Sequence, residues 1–253
     1  MIQNILVAIG DTPHEKNAFE YAGHLAALLD AHLSCVHFVD ERHRGQEDIA
    51  ARVFDNTEST LAELKFLSAH VDTITGNPVR NLCEKAHTAD LVVVGIPESI
   101  KTKGLRLIHD SIDDILSHIT KPTIVVHEQC TILQKILTVH HGDAASDHVL
   151  ELGAELAKRA NASLFGLALA NTQVKAAEIS GQMREYLKYH QVETEFMARL
   201  GFTVTNILNI ATEEDCDLIA LSASHHGRLY ELIFQDTTEM VVKLADRAVL
   251  VTR

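Results

Sequence analysis

The sequence predicts an α/β protein made of two doubly wound domains, each with a five-stranded, mostly parallel sheet. Short apolar runs alternate with amphipathic segments along the whole chain, and the order of those segments repeats once, together with the residues at their boundaries. Apolar residues make up 46% of the 253 and charged residues 23%, with only 4 Pro and 12 Gly, a composition that folds into a compact core rather than staying disordered.

The first apolar run, Ile2 to Ile9, ends at Gly10-Asp11; its counterpart, Ile132 to Val139, ends at His140-His141-Gly142-Asp143. Each is followed by a helical stripe, Ala18, Ala22, Ala26 and Leu29 in one copy and Val149, Leu152, Leu156 and Ala160 in the other. Residues 31 to 39 and 162 to 169 then form second strands, apolar enough to be covered on both faces. Longer helices over 46 to 68 and 173 to 190 lead to third strands near 70 to 75 and 192 to 198, and short helices over 78 to 88 and 204 to 214 follow. The fourth strands are the clearest match, Ala89-Asp90-Leu91-Val92-Val93-Val94-Gly95 against Cys216-Asp217-Leu218-Ile219-Ala220-Leu221-Ser222. Helices near 111 to 119 and 237 to 245 lead to the last strands, 122 to 126 and 248 to 251.

The halves divide as 1–128 and 129–253. The first holds 11 basic and 19 acidic residues and the second 11 and 16, so the formal charge of -13 is shared as -8 and -5. Neither half is a basic arm, which argues against nucleic acid as a partner. No apolar stretch is long enough for a membrane helix and no basic leader precedes the first strand, so a cytoplasmic protein without membrane attachment is expected. Cys35, Cys83, Cys130 and Cys216 are scattered singly, without redox-pair or zinc-knuckle spacing.

The Ile-Leu-Val-Ala-Ile start at residues 5 to 9, the Asp-Leu-Val-Val-Val-Gly strand at 90 to 95 and the Pro-Thr-Ile-Val-Val strand at 122 to 126 resemble the universal stress proteins, with the pattern present twice. In that family one branch binds ATP through an Asp after strand one, backbone near the end of strand two, and a Gly-x-x-Gly, nine residues, Gly-Ser/Thr segment after strand four; another branch lacks the segment and does not bind ATP. Here Gly95 matches the first glycine, but Glu98 holds the next glycine position and the Gly-Ser pair falls at His109-Asp110. In the second half Ser222-Ala223-Ser224-His225-His226-Gly227-Arg228 is similar to the family's Ser-His-Gly-Arg stretch, while Gln235-Asp236 replaces the later Gly-Ser. The resemblance also implies pairing of fifth strands through 122–127 and 248–252, with Val125 and Leu250 at the contact and a pseudo-twofold axis relating the halves.

Small residues after the fourth strand let phosphate reach backbone N–H groups at a helix start, and a carboxylate there opposes it. Asp236 with Glu239, Ser111 with Asp114 and Asp110 with Asp113 have the spacing of helix N-caps. The pocket expected from these considerations is Gly10, Asp11, Phe38 and Gly95 in the first half, and Gly142, Asp143, Leu169, Ser222, His225 and Gly227 in the second. For Asp11 and Asp143 a turn or cap role is an equal alternative. His141, Asp143 and His225 form a candidate zinc site, although no HExxH spacing supports it. No GxSxG nucleophile elbow and no dinucleotide fingerprint is present.

The expected function is a stress-response regulatory or ligand-sensing protein with degenerate nucleotide sites, mainly non-enzymatic. The alternatives are a protein binding ATP, ADP or AMP with weak hydrolysis in one retained pocket, and a metal-dependent hydrolase. Expected partners are a small-molecule ligand, a regulatory protein and a second copy in a homodimer.

Overall fold

A computed structural model describes residues 2–39, 47–63, 68–96, 106–127, 133–223 and 231–253. The chain forms two compact units, Met1–Cys130 and Thr131–Arg253. In the first, β1 (Asn4–Ile9), α1 (Pro13–Leu29), β2 (His32–Val39), α2 (Glu47–Glu63), β3 (Ala69–Thr75), α3 (Pro78–Ala86), β4 (Leu91–Gly95), α4 (Arg106–His118) and β5 (Thr123–Val126) alternate along the chain. The strands lie in the order β3-β2-β1-β4-β5, all paired in parallel.

The second unit repeats the plan with β6 (Lys135–His140), α5 (Ala144–Ala160), β7 (Ser163–Ala170), α6 (Gln173–Leu187), β8 (Thr194–Leu200), α7 (Val204–Glu213), β9 (Leu218–Ser222), α8 (Glu231–Leu244) and β10 (Ala248–Thr252). Its order is β8-β7-β6-β9-β10, again parallel.

Branched apolar residues hold the centre of each sheet because both faces are covered. Ile5, Val7, Leu91, Val92, Val93, Ile124 and Val125 are fully buried in the first unit, as are Ile136, Leu137, Leu218, Ile219, Val249 and Leu250 in the second. Right-handed crossovers through these strand orders place α1 and α2 on one face of the first sheet and α3 and α4 on the other. α1 accordingly packs on β1 and β4, while α3 packs on α4. The inner stripe of α1, from Ala18 through Ala22, Leu25 and Ala26 to Leu29, is the one its helical spacing predicts. Asp30 and Asn161 end α1 and α5 in the left-handed conformation, with φ of 49° and 52°, so the two first helices stop by the same device.

The repeated Asp-Leu pair has a structural meaning. Asp90 Oδ2 accepts the backbone N–H groups of Gln3 and Asn4 at 2.9 and 3.0 Å, and Asp217 Oδ2 accepts those of Gln134 and Lys135 at 2.7 and 2.9 Å. Each carboxylate therefore ties the residue before the fourth strand to the start of the first strand and fixes which residues of the two copies are equivalent. Asn4 matches Lys135, and counting along the strands, Ile9 matches His140.

Two helices begin earlier than the sequence indicates. α4 already includes Arg106 and α8 includes Glu231, which puts Asp110, Ser111 and Asp236 inside helices rather than at their N-caps. The cap spacing is real in sequence, but the helical pattern continues ahead of it, so the capping interpretation of these residues is corrected. Replacing Asp90 or Asp217 with Ala should each cost about 1.5 kcal/mol of stability, the lower end for hydrogen bonds to an ionised acceptor because these carboxylates are partly solvated. Urea denaturation should show the loss in midpoint without a change in slope.

Candidate functional site

In doubly wound sheets ligands bind beyond the carboxyl ends of the strands where the strand order reverses, here beside β1 and β4 and beside β6 and β9. The Asp90 and Asp217 clamps show that the two exits are offset by one residue from the matching suggested by sequence. With Asn4 on Lys135, Asp11 falls on Gly142 and Thr12 on Asp143; the helices agree, since Thr12 is the N-cap of α1 and Asp143 that of α5. Gly10-Asp11 and Gly142-Asp143 are therefore not equivalent, which corrects the paired assignment. The acidic residue that precedes the helix cap in the first unit is replaced in the second by Gly142, whose φ of 90° suits glycine.

At the second exit a closed polar ring occupies the turn. Asp143 Oδ1 accepts the Ser146 N–H at 2.8 Å and lies 2.7 Å from the Ser146 hydroxyl, while Oδ2 meets His141 Nε2 at 3.0 Å. His141 Nδ1 lies 2.9 Å from the same hydroxyl, and the edge of Phe202 packs against the imidazole at a centroid distance of 5.2 Å. Burial works to raise the Asp143 pKa, but the hydrogen bonds from His141 and from both groups of Ser146 outweigh it and hold the carboxyl well below the usual range. Serine, histidine and aspartate meet here, yet the serine is fully buried and shares its hydroxyl with the carboxylate. This arrangement caps α5 and presents no nucleophile to a substrate.

His141 and Asp143 bond each other, His225 and Gly227 lie outside the described residues, and among the described residues no group of three His, Cys, Asp or Glu side chains is gathered for a metal. His140 is buried. Its Nδ1 accepts the Gly142 N–H at 3.0 Å, so Nε2 carries the proton and donates to Asp147 Oδ1 at 3.0 Å. Burial lowers the His140 pKa by more than the Asp147 bond raises it. Ser222 and Leu169 are buried, and the hydroxyls of Ser222 and Thr252 make no hydrogen bond among the described residues.

The first exit is different. The Thr12 N–H donates to Glu15 at 3.2 Å, the Thr12 hydroxyl bonds the same carboxylate, and the Glu15 side chain lies over Gly10. Gly95 owes its identity to packing, since a Cβ there would collide with the backbone carbonyl of His14 in the first turn of α1. Phe38 is half-buried. Asp11 is exposed and lines a cavity of about 340 Å³ that continues between α1 and α2, over Lys16, Phe19, Glu20, Val53, Asn56 and Thr57.

In the second unit α6 turns Ala176, Ile179, Met183 and Leu187 inward, and Ile179 lies against Gly142. His37, missed by sequence reasoning, is buried beside the first exit and donates from Nδ1 to the Ile9 carbonyl at 3.0 Å. Its only signal was a histidine near the apolar end of the second strand.

Two copies of a doubly wound unit built on one plan define a tandem α/β protein. The chain belongs to the universal stress protein family, whose sequence model matches residues 1–127 and 166–253. No curated protein sequence matches it. In fold it is similar to a universal stress protein from Archaeoglobus fulgidus, at 16% identity and a TM-score of 0.79 over 99% of this chain and 98% of that one. A functionally unknown protein from Pseudomonas aeruginosa is similar at 16% identity and a TM-score of 0.70, covering 99% and 92%. The cytoplasmic domain of a prokaryotic cation chloride cotransporter is also similar, at 12% identity and a TM-score of 0.55, covering 99% and 95%. No described helix is long and apolar enough to cross a membrane.

Asp143→Ala should lose about 1–2 kcal/mol of stability, the cost of an N-cap. Because the His140 pKa is lowered in the fold, its contribution is present above the ordinary histidine value and is lost as pH falls through the lowered one. The urea midpoint should therefore drop as pH falls below the ordinary histidine value of about 6.5, and His140→Gln should flatten that drop.

Proposed function

We propose that the protein is a stress-response regulatory protein that senses a small ligand in its first unit and is mainly non-enzymatic. The observation that carries this reading is the asymmetry of the two exits. Asp11 stands exposed on an open cavity, whereas the equivalent position in the second unit is Gly142 beneath Ile179, with the neighbouring Asp143 committed to its helix cap.

Two further features favour a ligand held without a triphosphate grip. The Glu15 carboxylate already answers the N-terminus of α1, and Glu98 stands where the family's nucleotide-binding branch has glycine. An adenine nucleotide such as AMP or ADP fits this reading better than ATP, with Asp11 toward the ribose hydroxyls and Phe38 toward the base. The second exit is a degenerate copy that contributes stability. Action in the cytoplasm, as a homodimer and through a regulatory protein partner, completes the proposal.

Native mass spectrometry of protein purified without added nucleotide should show at most one nucleotide-sized adduct per chain. In calorimetric titrations with AMP, ADP and ATP, Asp11→Ala should weaken binding roughly tenfold, the loss of one good polar contact. Asp143→Ala should leave affinity unchanged once its lower stability is allowed for. Two nucleotides per chain, or sustained ATP turnover by the purified protein, would favour the alternative of a weak ATPase with retained sites.

A further inference from the structure

Away from both exits, at the start of β2 and β3, four side chains form a connected line. The Ser68 hydroxyl lies 2.7 Å from His32 Nδ1, His32 Nε2 lies 2.7 Å from His70 Nδ1, and His70 Nε2 faces Asp72 Oδ2 at 3.5 Å. Lys85 from α3 holds the same Asp72 oxygen at 3.1 Å. The two rings are nearly parallel, with 16° between their planes and 5.0 Å between centroids.

We propose that His32 and His70 form a two-imidazole chelate for a late first-row divalent transition metal such as Zn²⁺, Ni²⁺ or Cu²⁺. Ser68 holds the outer nitrogen of His32, the outer nitrogen of His70 faces Asp72, and the two inner nitrogens lie 2.7 Å apart. This is the outer-partner arrangement that orients metal-binding imidazoles, with Asp72 acting on His70 and Ser68 on His32. Imidazole nitrogen selects this group of metals over calcium and magnesium, which require oxygen cages.

The proton count closes without an added base. With the His70 proton on Nε2, on the side of Asp72, Nδ1 keeps a lone pair that accepts from His32 Nε2. On binding metal the His32 proton moves to Nδ1, where the Ser68 hydroxyl becomes its acceptor, and Nε2 is freed with no net proton release. Metal–nitrogen bonds of about 2.0–2.1 Å in tetrahedral geometry place the nitrogens about 3.3 Å apart, so the rings need to open by only about 0.6 Å. Both side chains are partly solvent-exposed, which permits that movement and supplies water for the remaining positions.

The fold itself does not require the pair. By strand register Leu33 faces Ala69 as Leu164 faces Thr194, so the second unit builds the same edge with Ser163, Glu195 and Met197 in place of His32, His70 and Asp72. No third ligand of the usual types joins the two histidines among the described residues, which makes this a two-ligand site completed by water.

The test is a Zn²⁺ titration of the full-length ¹⁵N-labelled protein, following imidazole nitrogens by NMR. His32 Nε2 and His70 Nδ1 should shift together and saturate with one metal ion. By calorimetry, His32→Ala and His70→Gln should each lower the zinc stoichiometry by one and remove part of the zinc-dependent rise in Tm. Asp72→Asn should weaken the site by about tenfold, and His190→Ala, at a separate exposed histidine, should keep the full stoichiometry. Unshifted His32 and His70 nitrogens at saturating zinc, or an unchanged stoichiometry in both histidine variants, would overturn the proposal; the wild-type spectra decide the question even where a variant folds poorly.

Discussion

Each unit depends on parallel strands that are buried on both faces. Backbone N–H and C=O groups in such a sheet have no water to turn to, so every central strand must be paired along its length and covered above and below by helices. Covering both faces with right-handed crossovers forces the strand order to reverse beside the first strand. At that reversal two neighbouring strands send their chains in opposite directions, leaving an opening at their carboxyl ends. The Asp90 and Asp217 carboxylates pin the other ends of the same strands, so the opening falls at a defined register in both copies.

What fills the opening differs between the copies, and the difference traces to single positions. In the second unit a glycine in the left-handed region lets the chain fold tightly under Ile179, and Asp143 then lands on the helix start, where its charge meets Ser146 and His141. In the first unit Thr12 takes the cap and Glu15 reaches back to it, which leaves Asp11 outside the cap and facing solvent. The cavity beside Asp11 runs along Val53, Asn56 and Thr57 of α2, whereas in the other copy Ile179 of α6 lies against Gly142. One duplicated fold thus carries one exposed carboxylate and one internal cap.

The architecture was legible because it is written in period and order. Buried strands such as Leu91–Val94 have no polar residue to interrupt them, and their alternation with stripes such as Ala18 to Leu29 leaves little choice of topology. The site was legible only in part. Asp11 and Asp143 both follow a glycine in sequence, and nothing in the local pattern distinguishes a residue before the cap from the cap itself. Asp110 and Asp236 misled for a related reason: cap spacing recurs inside acidic helices, and only the hydrogen-bonded turns ahead of them reveal that the helix has already begun.

The sequence by itself determined the duplication, the parallel α/β plan and the family, since these rest on periodicities and landmarks that survive without coordinates. The tertiary structure decided which residues of the two copies correspond, that Asp143 is a cap while Asp11 is exposed, and that His32 and His70 meet across neighbouring strands. These are matters of a single residue's offset and of strand register. A shift of one position redirects a side chain to another neighbour, and pairing between distant segments is fixed only when the whole sheet assembles.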